Sequence, residues 1–294
     1  MFAIIVNPVS GGGKNAQLAK QVEALLAQRG EACRVFETQT EGDGERQAQL
    51  ALDSGCHSVI CIGGDGTLSE IVRAMDGSEG ILYIVPSGTG NDFARAIGLP
   101  KEPLAAFKAQ LDGQQTTIDC GSINGRAFIN VSGSGFDVEV LRKTEELKQV
   151  YPGEQAYRKA VLAVLSSYKA FQTEISIDGG AFLPYCGTIV EVANGRYIGG
   201  GMQVAPAAQL QDGLLDVVMV DRVPRGIIPF LLPLFILGVH VHLPIARVVK
   251  ARQVVLRSKG MVVNIDGRLE EMDEARFEIR PSALRIMMPK KKKG

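Results

Sequence analysis

The sequence predicts an α/β N-terminal unit built on a parallel sheet, followed by a C-terminal antiparallel β-sandwich. Three observations carry this reading. In the first third, apolar runs alternate with glycine-bearing loops and amphipathic helical stripes, as expected of strands covered by helices on both faces. After about Gly113 the rhythm changes to short strands separated by turn signals such as Asn124-Gly125 and Asp178-Gly179-Gly180. The chain has 294 residues, 46% hydrophobic and 22% charged, enough for a substantial core in each of two units. We place the units at residues 1–115 and 116–294, the last ~10 residues returning to the first unit.

Phe2 to Val6 is a continuous apolar strand; Leu18, Val22, Leu25 and Leu26 then share one helical face that Gly30 ends. Residues 33–36 read as a strand, 45–52 as a helix and 59–62 as a buried strand. Leu68, Ile71, Val72 and Met75 form a second stripe before a strand at 81–85. Ligands of such sheets bind at the carboxyl ends of the strands, where the glycine loops lie. Further on, strands are expected at 118–120, 128–131, 174–177, 188–193, 214–220, 253–256, 261–265 and 277–279, with helical inserts at 138–147 and 156–170.

Lys+Arg and Asp+Glu both number 32, so the net charge is zero, which argues against a nucleic-acid binder. Cys33, Cys56, Cys61, Cys120 and Cys186 show no Cys-x2-Cys spacing and read as reduced thiols of a cytoplasmic protein. The N-terminus has no secretion-signal pattern. Residues 226–244 are apolar but interrupted by Pro229 and Pro233, and read as a buried or interfacial helix rather than a membrane span. His240 and His242 within it read as packing or interfacial residues. The run from Lys290 to Lys293 reads as a solvated tail, a cloning remnant or a patch for anionic lipid.

Three loops carry the chemistry. The first, from Asn7 through Ser10, Gly11, Gly12 and Gly13 to Lys14, follows a strand and opens a helix, a setting that receives phosphate on bare amides. It is not a P-loop, because Pro8 stands at the first glycine position and Asn15 follows the lysine. The second, Gly63-Gly64-Asp65-Gly66-Thr67-Leu68-Ser69-Glu70, combines glycines for close backbone approach with an acid. A carboxylate beside phosphates requires a cation between them, so Asp65 implies Mg²⁺. The third runs Pro86-Ser87-Gly88-Thr89-Gly90-Asn91-Asp92-Phe93-Ala94-Arg95, with neutral hydrogen-bonding groups and a second acid. Their convergence on one sheet edge points to a nucleotide site.

The second and third motifs, about twenty residues apart, resemble the soluble lipid kinases of the diacylglycerol kinase and sphingosine kinase type, and the opening Asn7-Pro8 matches as well. The resemblance covers nearly the whole chain. It implies an NAD kinase-like α/β domain followed by a β-sandwich lipid-binding domain, with ATP- and Mg²⁺-dependent phosphorylation of a diacylglycerol-like or sphingoid-like hydroxyl in the cleft between them. It places nucleotide against Asn7, Gly11, Gly12, Gly13, Lys14, Thr38, Gly63, Gly64, Asp65, Gly66, Thr67, Leu68, Ser69, Glu70, Ser87, Gly88, Thr89 and Asn91. Thr38 enters because Gly42-Asp43 follows it at the family's spacing. Asp65 and Asp92 would organise Mg²⁺, and Gln209, Asp212 and the Leu214 carbonyl would hold a separate structural Mg²⁺. Expected partners are the lipid and a peripheral membrane surface on the cytoplasmic side; a homodimer is left open.

One position departs from the family. Its Asp-Gly-Glu, whose glutamate takes the substrate proton, reads Asp266-Gly267-Arg268 here, and arginine accepts no proton. Glu270 as a substitute, Asp65 as the base, and transfer by positioning alone are the three routes left to an active kinase, with Glu270 the assigned catalytic residue beside Asp65 and Asp92. Two further readings are an NAD kinase-like enzyme, which also uses Gly-Gly-Asp-Gly-Thr, and a catalytically impaired nucleotide- or lipid-binding regulator.

Overall fold

The computed structural model describes residues 1–8, 13–40, 42–151 and 154–290. Its first part alternates β1 (Phe2–Val6), α1 (Lys14–Gln28), β2 (Cys33–Glu37), α2 (Asp43–Asp53), β3 (Ser58–Gly63), α3 (Asp65–Met75) and β4 (Ile81–Pro86), then α4 (Asp92–Ala96) and α5 (Pro103–Leu111). Strands pair in the order β2-β1-β3-β4, every pair parallel. The uninterrupted apolar runs follow from this placement, since successive side chains enter different layers. Ile5, Val59, Cys61 and Leu82 pack with Ile71, Val72 and Met75 of α3. Ile4, Val6, Ile60 and Val85 pack with Leu18, Val22 and Leu26 of α1 and Phe107 of α5. Each fully buried aliphatic side chain contributes about 1.5–3 kcal/mol.

The second part comprises β5 (Gln114–Ile123), β6 (Arg126–Phe128), β7 (Val131–Gly135), α6 (Phe136–Lys148), α7 (Glu154–Ser167), β8 (Phe171–Ile177), β9 (Leu183–Ala193), β10 (Leu215–Asp221), α8 (Ile228–Ile236), β11 (Ala246–Ala251), β12 (Gln253–Ile265) and β13 (Arg268–Met288). Among these strands the pairing is antiparallel. Phe128, Val190, Val217, Leu256, Val263 and Phe277 form its core. Asn124-Gly125 and Asp178-Gly179 both have positive φ, the backbone of two-residue hairpin turns.

The two parts share one hydrogen-bonded path, β11-β10-β9-β7-β12-β13-β4-β3-β1-β2. Its joint is β13, whose early residues pair with β12 while Arg285 and Ile286 pair in parallel with Ile81 and Leu82 of β4. The register against β5 shifts between Arg280 and Leu284, where Ser282 has φ 52. Asp119 fixes that bend: Oδ1 accepts the Ser282 N–H at 2.8 Å and Oδ2 accepts the Gly213 N–H at 2.8 Å.

Three segments compare with the sequence expectations as follows. The strand expected at 277–279 is part of a 21-residue strand, because the alternating charged residues of its solvent face hide its length from a search for apolar runs. β11 was not expected at all, since four of its six residues are exposed. Residues 226–244 form a 3₁₀ turn, the nine-residue α8 and a second 3₁₀ turn, so no described helix is long and apolar enough to cross a membrane. His240 is packed there: its ring stacks on Phe235 at 3.7 Å between centroids, and Nε2 lies 3.1 Å from the Val204 carbonyl.

Candidate active site

Asn7, Thr38, Asp65 and Ser87 follow or stand just beyond the carboxyl ends of β1, β2, β3 and β4. The loops after β3 and β4 interlock there. A Cβ on Gly88 would lie 2.5 Å from the Gly64 Cα, so neither position accepts a side chain without moving backbone. The resulting closeness lets Asp65 reach the next loop, where its Oδ1 accepts the Asp92 N–H at 2.8 Å and the Phe93 N–H at 3.4 Å. Asp92 is fixed in turn: Arg95 Nη1 donates to Oδ1 at 2.9 Å and the Gly200 N–H donates to Oδ2 at 2.8 Å. Burial pushes both carboxyls above the ordinary range, against the backbone donors that favour their charged forms.

The Gly200 contact belongs to a loop that the sequence reading passed over. Gly199, Gly200 and Gly201 all have positive φ, and a Cβ on Gly201 would stand 2.6 Å from Arg95 Nη1. Three consecutive glycines were the available signal. They bring the antiparallel part of the chain against the loop after β4.

A cavity of about 450 Å³ opens beside Asp65. Asn7, Thr38, Thr40, Gly66, Thr67, Ser69 and Glu70 line it from the parallel part, with Arg73. Ile265, Asp266, Gly267 and Arg268 line it from the β12–β13 hairpin, whose turn residues Asp266 and Gly267 have φ 49 and 94. Asp266 accepts the N–H groups of Ile129 at 2.8 Å, Asn130 at 2.9 Å and Val131 at 3.1 Å. Its burial nevertheless outweighs these donors and pushes its pKa up to about 6. Both oxygens are thereby used to hold the hairpin.

Glu70 ties the cavity walls together. Its oxygens accept the N–H groups of Gly42 at 2.6 Å and Gly44 at 2.9 Å, from the start of α2, and Arg268 Nη2 lies 3.4 Å from Oε1. Arg73 is held by Glu45 at 2.7 Å and reaches Ser69 Oγ at 3.3 Å. Two guanidinium groups therefore line the cavity.

The other expected site residues divide by position. Gly11 and Gly12 lie outside the described residues; Gly13 and Lys14 are exposed at the start of α1. Gly63 is buried, Thr89 is exposed, and Leu68 packs into the core with Ile71 and Val72. Asn91 closes its own loop, accepting the Gly88 N–H at 3.0 Å and donating to the Gly88 carbonyl at 2.7 Å. Ser87 keeps a buried Oγ without a hydrogen-bond partner, the kind of orphan a ligand satisfies.

Two expected site positions carry ion pairs. Glu270 does not line the cavity: it is ion-paired with Arg126. At the expected structural metal loop, Asp212 Oδ1 accepts the Leu214 N–H at 3.1 Å, while Lys250 Nζ sits 2.8 Å from Asp212 Oδ2 and 3.0 Å from Asp216 Oδ2. Burial opposes the ammonium, but the two carboxylates outweigh it and raise the Lys250 pKa. The carboxylate expected to hold the structural Mg²⁺ is therefore ion-paired with a lysine in this structure. Among the described residues no group of three His, Cys, Asp or Glu side chains is placed to hold a metal.

Two family models match successive stretches of the chain. Residues 1–123 match the diacylglycerol kinase catalytic domain, and residues 130–288 match the YegS C-terminal NAD kinase beta sandwich-like domain. A Pseudomonas aeruginosa protein named "Probable lipid kinase YegS-like" is 37% identical over 286 residues, 94% of this chain and 92% of that one. A diacylglycerol kinase of Mycobacterium tuberculosis is 32% identical over 292 residues, 97% of this chain and 94% of that one. Among solved structures, a diacylglycerol kinase from Bacillus anthracis superposes with TM-score 0.73 at 23% identity, covering 98% of this chain and 97% of that one. An NAD kinase from Archaeoglobus fulgidus in complex with ATP superposes with TM-score 0.55 at 12% identity, over 99% of this chain and 95% of that one, a likeness of fold.

Proposed function

The chain belongs to the YegS-like lipid kinases that carry a diacylglycerol kinase catalytic domain, and from that membership we propose the reaction of its cleft. The γ-phosphoryl group of ATP is transferred, with Mg²⁺, to a hydroxyl of a diacylglycerol-like or sphingoid-like lipid. The observation that carries this reading is Asp65: a buried carboxylate at a strand's carboxyl end, fixed by two backbone N–H groups and opening into a polar cavity.

The residues present fit Mg²⁺ bound in the way typical of phosphoryl transfer, by one or two carboxylates plus water and substrate phosphates rather than by a protein cage. Asp65 is the ligand we assign, with Asp92 fixing its position. A bound Mg²⁺ would neutralise phosphate charge during transfer. Around it, Gly66 leaves room for the triphosphate, while Gly63, Gly64 and Gly88 let the loops that carry Asp65 and Asp92 pack together. Thr67 and the orphaned Ser87 Oγ supply hydrogen bonds, and Asn7 and Thr38 face the nucleotide from β1 and β2.

Arg268 belongs to the phosphate side of this arrangement. With both Asp266 oxygens committed to the hairpin, both Glu70 oxygens bonded to the Gly42 and Gly44 N–H groups and Glu270 paired with Arg126, Asp65 is the acid we assign to take the lipid hydroxyl proton. Phosphoryl transfer depends chiefly on positioning and charge, to which a base adds modestly. A second guanidinium beside Arg73 adds to the second of these. The test is transfer of labelled γ-phosphate into the organic phase from detergent micelles carrying diacylglycerol, monoacylglycerol, sphingosine or ceramide. Label on one lipid is the expected result; ATP binding without label on any lipid would replace the enzyme with a regulator.

A further inference from the structure

A larger cavity, about 600 Å³, lies away from the catalytic cleft, where the end of α7 and the start of β8 meet the turn after β10. Tyr168, Lys169, Gln172, Arg222, Val223 and Arg225 are among its lining residues, and no carboxylate lines it among the described residues. The neighbouring Asp221 is already taken up by Arg247 at 2.7 Å. The chain as a whole is neutral, so this is a local concentration of positive charge rather than a general one.

Beside it stands an apolar face. Ile228 and Leu231 anchor α8 in a core shared with Val161 and Val164 of α7, so the helix is well seated. Its outer side nonetheless presents Phe230, 77% exposed, one helical turn from the exposed Ile227. Leu162 of α7 is 69% exposed and lies one turn from Ser166, whose carbonyl accepts from Arg225 Nη1 at 2.7 Å. That hydrogen bond ties the turn that leads into α8 to the end of α7, beside the cations of the cavity. Exposed aromatic and aliphatic side chains rimmed by cations mark a surface that lies in the boundary between headgroups and acyl chains.

We propose that this surface seats the protein on an anionic lipid bilayer. Headgroup phosphates enter the cavity over Lys169, Arg222 and Arg225, while Phe230, Ile227 and Leu162 enter the apolar boundary. The nine-residue α8 is far too short to span, so the attachment is interfacial and reversible. The assignment rests on the lipid-kinase reading for its purpose, since a bilayer is where such a substrate resides, but its chemistry stands on this surface alone.

The test is co-sedimentation of the full chain with sucrose-loaded vesicles, without ATP or lipid substrate. Vesicles of phosphatidylcholine alone are compared with vesicles containing a quarter phosphatidylglycerol. Wild type pellets with the anionic vesicles, and less so as NaCl is raised. Lys169→Gln and Arg222→Gln each weaken binding about fivefold, and Phe230→Ser about tenfold. Melting temperature and binding of a non-hydrolysable ATP analogue stay unchanged in all three, which separates lost docking from lost folding. Variants that bind like wild type, or a wild type that binds neither vesicle, would overturn the proposal. So would a Phe230→Ser variant that converts a dimer to a monomer without affecting vesicle binding, since the face would then join two copies. Kinase activity on micelles is read separately: transfer without vesicle binding removes the docking surface and keeps the kinase, whereas vesicle binding without transfer does the reverse.

Discussion

Arg268→Glu is the most informative single change, because two accounts of this cleft predict opposite results. Arg268 lies 3.4 Å from Glu70 Oε1 with its side chain 32% exposed. Unit charges about 4 Å apart interact by about 4 kcal/mol at an effective dielectric of ~20. Solvent at a group this exposed reduces that to about 1 kcal/mol. Reversing the charge removes one such attraction toward a phosphate and adds one repulsion, about 2 kcal/mol together, or roughly 30-fold in nucleotide affinity. The same change faces Glu70 with a second carboxylate and lowers the melting temperature by a few degrees. The assay is titration of a fluorescent ATP analogue, followed by steady-state transfer at saturating ATP and the calorimetric melting point. If Arg268→Glu instead raises turnover and leaves affinity unchanged, the position lacks a base rather than supplying a phosphate contact, and the argument from charge fails.

Asp65→Asn should lower transfer at least 10³-fold while the chain melts within a few degrees of wild type, because the amide oxygen still accepts from Asp92 and Phe93 and a buried charge has been removed; near-normal transfer would exclude Asp65 as the Mg²⁺ ligand. Asp266, raised to about 6 when folded, binds more protons folded than unfolded, so its contribution to stability is present below its unfolded pKa of about 3.9 and is lost as pH rises through its folded value. The difference in urea midpoint between wild type and Asp266→Asn should therefore fall from pH 4 to pH 7; a flat difference would contradict the raised value. Lys250→Met frees Asp212 and Asp216, and its melting temperature should rise with millimolar Mg²⁺ where that of wild type does not; an equal Mg²⁺ response in both would restore a metal to that loop.

Legibility from sequence followed the physics of each feature. The parallel strands announce themselves because both faces are buried, which leaves an uninterrupted apolar run such as Ile4-Ile5-Val6 or Ile60-Cys61-Ile62. The glycine loops at their ends are legible for a related reason, since Gly64 and Gly88 have to be glycines for two backbones to meet. β13 and β11 escaped because one face of each meets water, and their charged residues break the pattern. Glu70 was read as a nucleotide contact; its bonds to Gly42, Gly44 and Arg268 connect segments 28 and 198 residues apart, a relation that no local pattern records. Lys250 was invisible for the same reason: nothing in its own neighbourhood links it to the Asp212 loop 38 residues earlier. Long-range electrostatic partners are set by topology, and the topology turned on a strand longer than its sequence advertises.

The path of β13 has a bearing on how the protein is made. Ile81 and Leu82 of β4 lie on an edge of the parallel strands that carry Asp65, and their neighbour on that side is Arg285-Ile286, some two hundred residues later in the chain. During synthesis the first 120 residues emerge long before that neighbour exists. At ~5–20 residues per second, Ile81 and Leu82 wait on the order of ten seconds or more for that strand, while the Gln110 side chain of α5 already occupies the Ile84 N–H and carbonyl. An unpaired edge of this kind invites mispairing with other chains. Nucleotide competence should accordingly appear only once residues 285–286 have emerged, and nascent chains stalled before them should be the species that aggregates or engages chaperones.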